Sequence, residues 1–74
     1  MKNVQFNYSK LRGRIVEVFD TQNNFANAMN ISVGTLSAKL SNKSYFTADE
    51  IVKASELLHI SSQETSSYFF CRKS

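Results

Sequence analysis

Apolar residues recur along this chain at helical spacing for most of its length. Leu11, Ile15, Val18 and Phe19 fall at i, i+4, i+7 and i+8, which predicts a half-buried helix over 9–19 with Ser9 as its N-cap. Phe25, Ala28 and Met29 give the inward face of a second helix over 22–29, capped by Thr21. A third runs from Val33 to Leu40 or Ser41 behind Ser32, with Leu36 and Leu40 as its core stripe. Thr47-Ala48-Asp49-Glu50 reads as a capping box, with two acids placed to complement the macrodipole of a fourth helix. Ile51, Val52, Ala54, Ser55, Leu57 and Leu58 would form a broad inner face on that helix. A second box, Ser61-Ser62-Gln63-Glu64, opens a fifth helix bearing Tyr68, Phe69 and Phe70. Val4, Phe6 and Tyr8 alternate, as a short strand or an N-terminal arm over 1–8 would.

The turn residues support these boundaries. Asn30, Asn42 and His59 each follow a helix end, where the chain often needs positive φ, and Asn and His tolerate that region better than most side chains. His59 is therefore read as a helix-terminal residue and not as a ligand or base. Ala26, one turn before the first bend, is small enough to let the next helix approach. Gly13 sits mid-helix at a cost of about 1 kcal/mol against Ala, which close approach of another backbone would justify.

Composition narrows the class. The 74 residues make one domain over 1–74, with 42% apolar content for a single core. No run reaches the ~18 apolar residues of a membrane span, and MKNVQFNYSK has no apolar signal region. Cys71 stands alone, without a disulfide partner or zinc-ligand spacing. These features lead us to expect a cytoplasmic protein. One His, one Cys, no Gly-rich phosphate loop and no acid pair beside a base leave no inventory for an enzyme, a cofactor or a small-molecule ligand. Charge is uneven. Residues 1–14 carry Lys2, Lys10, Arg12 and Arg14 without an acid, whereas 47–64 carry Asp49, Glu50, Glu56 and Glu64 against Lys53. A basic front suits a polyanion, and a mixed solvated surface is the ordinary alternative.

The segment 21–41 carries a resemblance. Gln22-xxx-Ala26-xxx-Asn30-Ile31-Ser32-xxx-Leu36 resembles the helix-turn-helix of the lambdoid Cro and repressor family, and the flanks YSKLRGRI and SNKSYFTADEIVKASELLHIS resemble those of small phage regulators of low-GC Gram-positive bacteria. The likeness covers roughly 8–70. It implies an all-α, five-helix lambda-repressor-like domain that binds double-stranded operator DNA as a homodimer, with 33–41 as the recognition helix. It implies phosphate contact for Gln22 and DNA-facing positions for Val33, Gly34, Ser37, Ala38 and Ser41. Three departures stand out. Val33 and Gly34 replace the Gln or Arg common at the front of that helix. Lys39 stands where many relatives have a core residue, implying a helix rolled to bring Thr35 and Lys39 toward DNA. Asn42 replaces Gly before Lys43.

Physically, Ser32, Thr35 and Ser37 can donate to or accept from bases or phosphates, and Val33 and Ala38 can touch thymine methyls. Lys39 could reach guanine or phosphate, while Asn42, Lys43, Ser44 and Tyr45 would clamp the backbone, joined by Arg12 and Arg14, with Lys10, from the first helix. Val33 equally suits core packing. Tyr68, Phe69 and Phe70 either close the core or form a two-fold dimer interface. The leading expectation is a Cro-type transcriptional repressor. The alternative is a protein-interaction module, an antirepressor or host-factor inhibitor, motivated by a recognition helix with few strong hydrogen-bonding groups and by the aromatic tail. A nonspecific architectural binder is a third reading, marked by a steep salt dependence.

Overall fold

Hydroxyl caps and left-handed turn residues cut the chain into short helices. The computed structural model describes residues 5–73, and over them the chain is all-α. The helices are α1 (Ser9–Phe19), α2 (Gln22–Met29), α3 (Val33–Leu40), α4 (Ala48–Leu57) and α5 (Thr65–Phe69). Thr21, Ser32 and Thr47 each accept a backbone N–H of the first turn, from Asn24, Thr35 and Glu50. At Thr47 the box is reciprocal, since the Glu50 carboxylate takes the Thr47 N–H at 2.9 Å. Such a cap stabilises a helix by about 1 kcal/mol. Two starts differ from expectation. Ser9 lies inside α1, and its N–H is met by the Asn7 side chain. At Ser61 the Glu64 carboxylate accepts the Ser61 N–H and hydroxyl, but regular helix begins only at Thr65.

Helix ends follow one scheme. Asn30, Asn42 and His59 adopt φ of 62°, 65° and 57°, as their side chains suggest, and Asp20 joins them at 72°. After three of these residues the next N–H reaches back five positions: Ile31 to Ala26, Lys43 to Ala38 and Ile60 to Ser55. This is the Schellman closure, which satisfies carbonyls a helix end would otherwise leave bare.

The core gathers Leu11, Ile15, Phe25, Ala26, Leu36, Leu40, Ala54, Leu58 and Phe69, all essentially sealed from solvent. α1 packs on α2 and α5, and α2 packs on α3 and α4. Ala26 is fully buried in α2, as a close crossing with α3 requires. Val18 and Val52 prove to lie outside the stripes assigned to them and face solvent. The expected close approach at Gly13 is absent, because a Cβ built there would meet nothing within 4 Å.

Candidate functional site

α2 and α3 are joined by the three-residue turn 30–32 and pack on one another. The outer face of α3 is nearly chargeless. Val33 is 45% exposed, so it is not a core residue. Gly34, Thr35 and Ser37 are exposed beside it, and Ala38 is half-buried. The polar groups at its start serve the helix itself: Ser32 Oγ accepts the Thr35 N–H at 3.0 Å and donates to Thr35 Oγ1 at 2.8 Å. Gln22 is half-buried at the start of α2.

Lys39 corrects the sequence reading. Instead of rolling outward it is buried, 7% exposed, with its ammonium 2.9 Å from Glu50 Oε1 and donating to the Tyr45 carbonyl at 3.0 Å. The Phe46 ring lies 5.9 Å below it. Partial burial pushes the Glu50 carboxyl up, but the Thr47 N–H and the Lys39 ammonium outweigh this and hold it below its ordinary value.

Two other cations assigned to DNA, Arg12 and Arg14, also bond to the fold. Arg12 Nη2 donates to the Leu40 carbonyl at 3.0 Å, capping the end of α3. Arg14 Nε donates to the Leu58 carbonyl at 2.8 Å and its Nη2 to His59, capping the end of α4, with Glu17 at 3.0 Å. A cation against free terminal carbonyls complements the macrodipole, and this use holds both guanidinia close to the protein surface. Asn42, expected to clamp a nucleic-acid backbone, uses its side-chain amide within the fold. Its Oδ1 accepts the Phe6 N–H at 2.8 Å and its Nδ2 donates to the Phe6 carbonyl at 2.9 Å. Lys43 is exposed on the turn after α3.

That Asn42 bracket builds the second surface. Phe6 faces Arg72 in an antiparallel bridge, flanked by Asn7 N–H to Cys71 O at 2.6 Å and Lys73 N–H to Gln5 O at 3.0 Å. Residues 5–7 are thus held on one side by the C-terminal segment and on the other by a side-chain amide that imitates a strand. Residues 5–8 form no free arm; the expected arm's residues 1–4 lie outside the described residues. Phe6 in turn sets an aromatic relay, with ring centroids 6.4 Å from Tyr45, 5.9 Å from Phe70 and 6.1 Å from Tyr8. Tyr8 and Phe46 continue it to Phe69. Between them opens an apolar groove of about 370 Å³ with Ile51 in its wall. Tyr45 and Phe70 are 48% and 50% exposed at its lip. Burial pushes the Tyr8 phenol up, with Tyr45 adding to the effect. Of the aromatic dimer candidates, Tyr68 and Phe69 are core residues and Phe70 alone faces out. Sequence reasoning missed Phe6, Tyr8, Tyr45 and Phe46 as parts of one surface; the alternation of Phe6 and Tyr8 says nothing of Tyr45 and Phe46, which only the folded chain brings beside them.

Among the described residues, no cluster of His, Cys, Asp and Glu is placed to hold a metal, and no helix is long and apolar enough to cross a membrane.

Comparison with known proteins places this architecture. A family model described as protein of unknown function (DUF739) matches residues 4–72. The chain belongs to this DUF739 family. The family shown is therefore not the Cro and repressor family that the α2–α3 segment resembles. No curated protein matches the chain. Among solved structures, the DUF739 chain is similar to the modulator of repression (MOR) of the temperate bacteriophage TP901-1 from Lactococcus lactis, determined in solution, with 44% identity, 89% of each chain covered and a TM-score of 0.79.

Proposed function

We propose that this protein is a phage regulator that modulates repression by binding a repressor protein through its aromatic groove, and that it is not an operator-binding repressor. The observation that carries this reading is the inward turn of Lys39 into its ion pair with Glu50, which leaves the outer face of α3 without a cation. Affinity for DNA comes mainly from Lys and Arg contacts to phosphate, and base readout from long hydrogen-bonding side chains. Val33, Gly34, Ser37 and Ala38 supply neither. An exposed aromatic lip over an apolar groove is instead the composition of a protein-binding hot spot. Similarity to a modulator of repression at 44% identity supports the same class of activity.

The turn-joined pair of α2 and α3, with Lys43 exposed behind α3, favours a second reading in which the protein is a lambda-repressor-like operator binder. One experiment separates the two. The purified chain is titrated by calorimetry against the repressor encoded in its own phage locus and, separately, against random and operator duplexes at about 150 mM salt. A stoichiometric complex with the repressor and no retained duplex supports the proposal. Selective binding to a two-fold symmetric operator, with no repressor complex, overturns it.

A further inference from the structure

A second groove, about 230 Å³, runs along α4 on the other side of Ile51 from the aromatic one, between Val52, Ser55, Ile60 and Thr65, with Glu56 at its edge. Val52 is the most exposed large apolar residue described, at 59%. Ser55 is 9% exposed, and its Oγ, buried in the groove wall, has no hydrogen-bond partner among the described residues. A buried hydroxyl left unpaired costs free energy that a ligand's polar group would recover. Asp49 and Glu56 lie three residues before and four after Val52, on the same face of the helix, and both are exposed. Lys53, the one cation of α4, donates its Nζ to the Met29 carbonyl of α2 at 3.4 Å and so leans away from those carboxylates.

We propose that this groove docks a cationic amphipathic helix of a protein partner. One aliphatic side chain seats beside Val52, Lys or Arg residues face Asp49 and Glu56, and a polar group meets Ser55 Oγ. The charge pattern selects this occupant. The carboxylates repel a nucleic acid. The volume falls below the roughly 300–1,000 Å³ of sites that enclose small molecules and suits a single side chain. Among the described residues a second copy offers no such helix, because Arg12, Arg14, Lys39 and Lys53 bond to their own chain, Lys10 sits over the Tyr68 ring, and Lys43, Arg72 and Lys73 lie outside helices. This surface is separate from the aromatic lip, and the proposal does not rest on the aromatic groove being a docking site.

The test uses the full 74-residue chain and two synthetic amphipathic helical peptides with a leucine stripe, one flanked by lysine and one by glutamate. Titration is followed by amide chemical shifts. The lysine peptide is expected to move the Val52, Ser55, Ile60 and Thr65 signals. The double variant Asp49→Lys/Glu56→Lys is expected to weaken it by about tenfold or more and to reverse the preference toward the glutamate peptide. Ser55→Ala is expected to leave the chain folded, by its amide spectrum, and to weaken the lysine peptide by about threefold. Shifts confined to the aromatic groove, or affinity unchanged in the folded double variant, would overturn the proposal.

Discussion

Lys39 shows how one residue changes the meaning of a helix. Its position in α3 is compatible with either the outer or the inner face, and partners outside α3, Glu50 of α4 and the Tyr45 carbonyl, fix the choice. Lys39→Met keeps the apolar stem but strands Glu50, whose side chain is 23% exposed. Because Glu50 is only partly buried, the cost should fall below that of breaking a fully buried pair, at about 1–3 kcal/mol in urea unfolding. The pH signature follows from the lowered Glu50 carboxyl. A depressed folded value contributes stability that is fully present above the unfolded value and is lost as pH falls through the folded one. Acid titration of the native protein should therefore show a loss that begins near the ordinary value of 4.5 and continues below it. In Lys39→Met that loss should shrink without vanishing, since the Thr47 N–H still holds the carboxylate. An unchanged acid limb would mean that the Lys39 ammonium does not set the Glu50 ionisation. Gly13 argues the other way: nothing packs on it, and its φ is not positive. Gly13→Ala should raise stability by about 0.5–1 kcal/mol, read from the urea midpoint.

Among the elements, the helix ends were the most legible part of the sequence, and Asn42 shows both the reach and the limit of that legibility. Caps at Thr21, Ser32 and Thr47, and left-handed turns at Asn30, Asn42 and His59, are local physics, readable from a few adjacent residues. What the side chain of Asn42 does after the turn is not local, because its partner Phe6 is 36 positions away. The capping roles of Arg12 and Arg14 are hidden for the same reason: a cation near a basic segment and a cation capping a distant helix look alike in sequence. Two substitutions separate the roles of Asn42. Asn42→Gly keeps the left-handed turn and removes the amide bracket, and should cost about 1–2 kcal/mol for two part-buried hydrogen bonds. Asn42→Ala loses both functions and should cost about 1 kcal/mol more, since a Cβ disfavours that region. In both variants the amide of Phe6 should exchange faster while those of α1 change little. Equal stability losses in the two variants would show that the left-handed turn adds nothing beyond the bracket, and no loss in Asn42→Gly would show that the bracket contributes nothing.

For the whole molecule, the aromatic groove depends on the pairing of the two ends of the chain, and its exposed lip can be separated from its buried floor by substitution. Phe69 is 1% exposed, so Phe69→Ala should cost about 3–5 kcal/mol and reduce every activity through unfolding. Phe70, at the lip, touches Phe6 but buries little else. Phe70→Ser should change stability by under about 1 kcal/mol, within the range of surface substitutions. If the groove is where a repressor docks, the same change should weaken that complex by at least about tenfold, because exposed aromatics at a groove lip are the residues that concentrate binding energy. Tyr45→Ala should act in the same direction, whereas Val33→Ala on the outer face of α3 should leave the complex intact. An operator binder predicts the reverse order, with Val33 mattering and Phe70 silent. Measuring the two variants side by side, against repressor and against duplex DNA, therefore ranks the two faces of the molecule by function, and the unfolding midpoint of each variant shows that the ranking is not a stability effect.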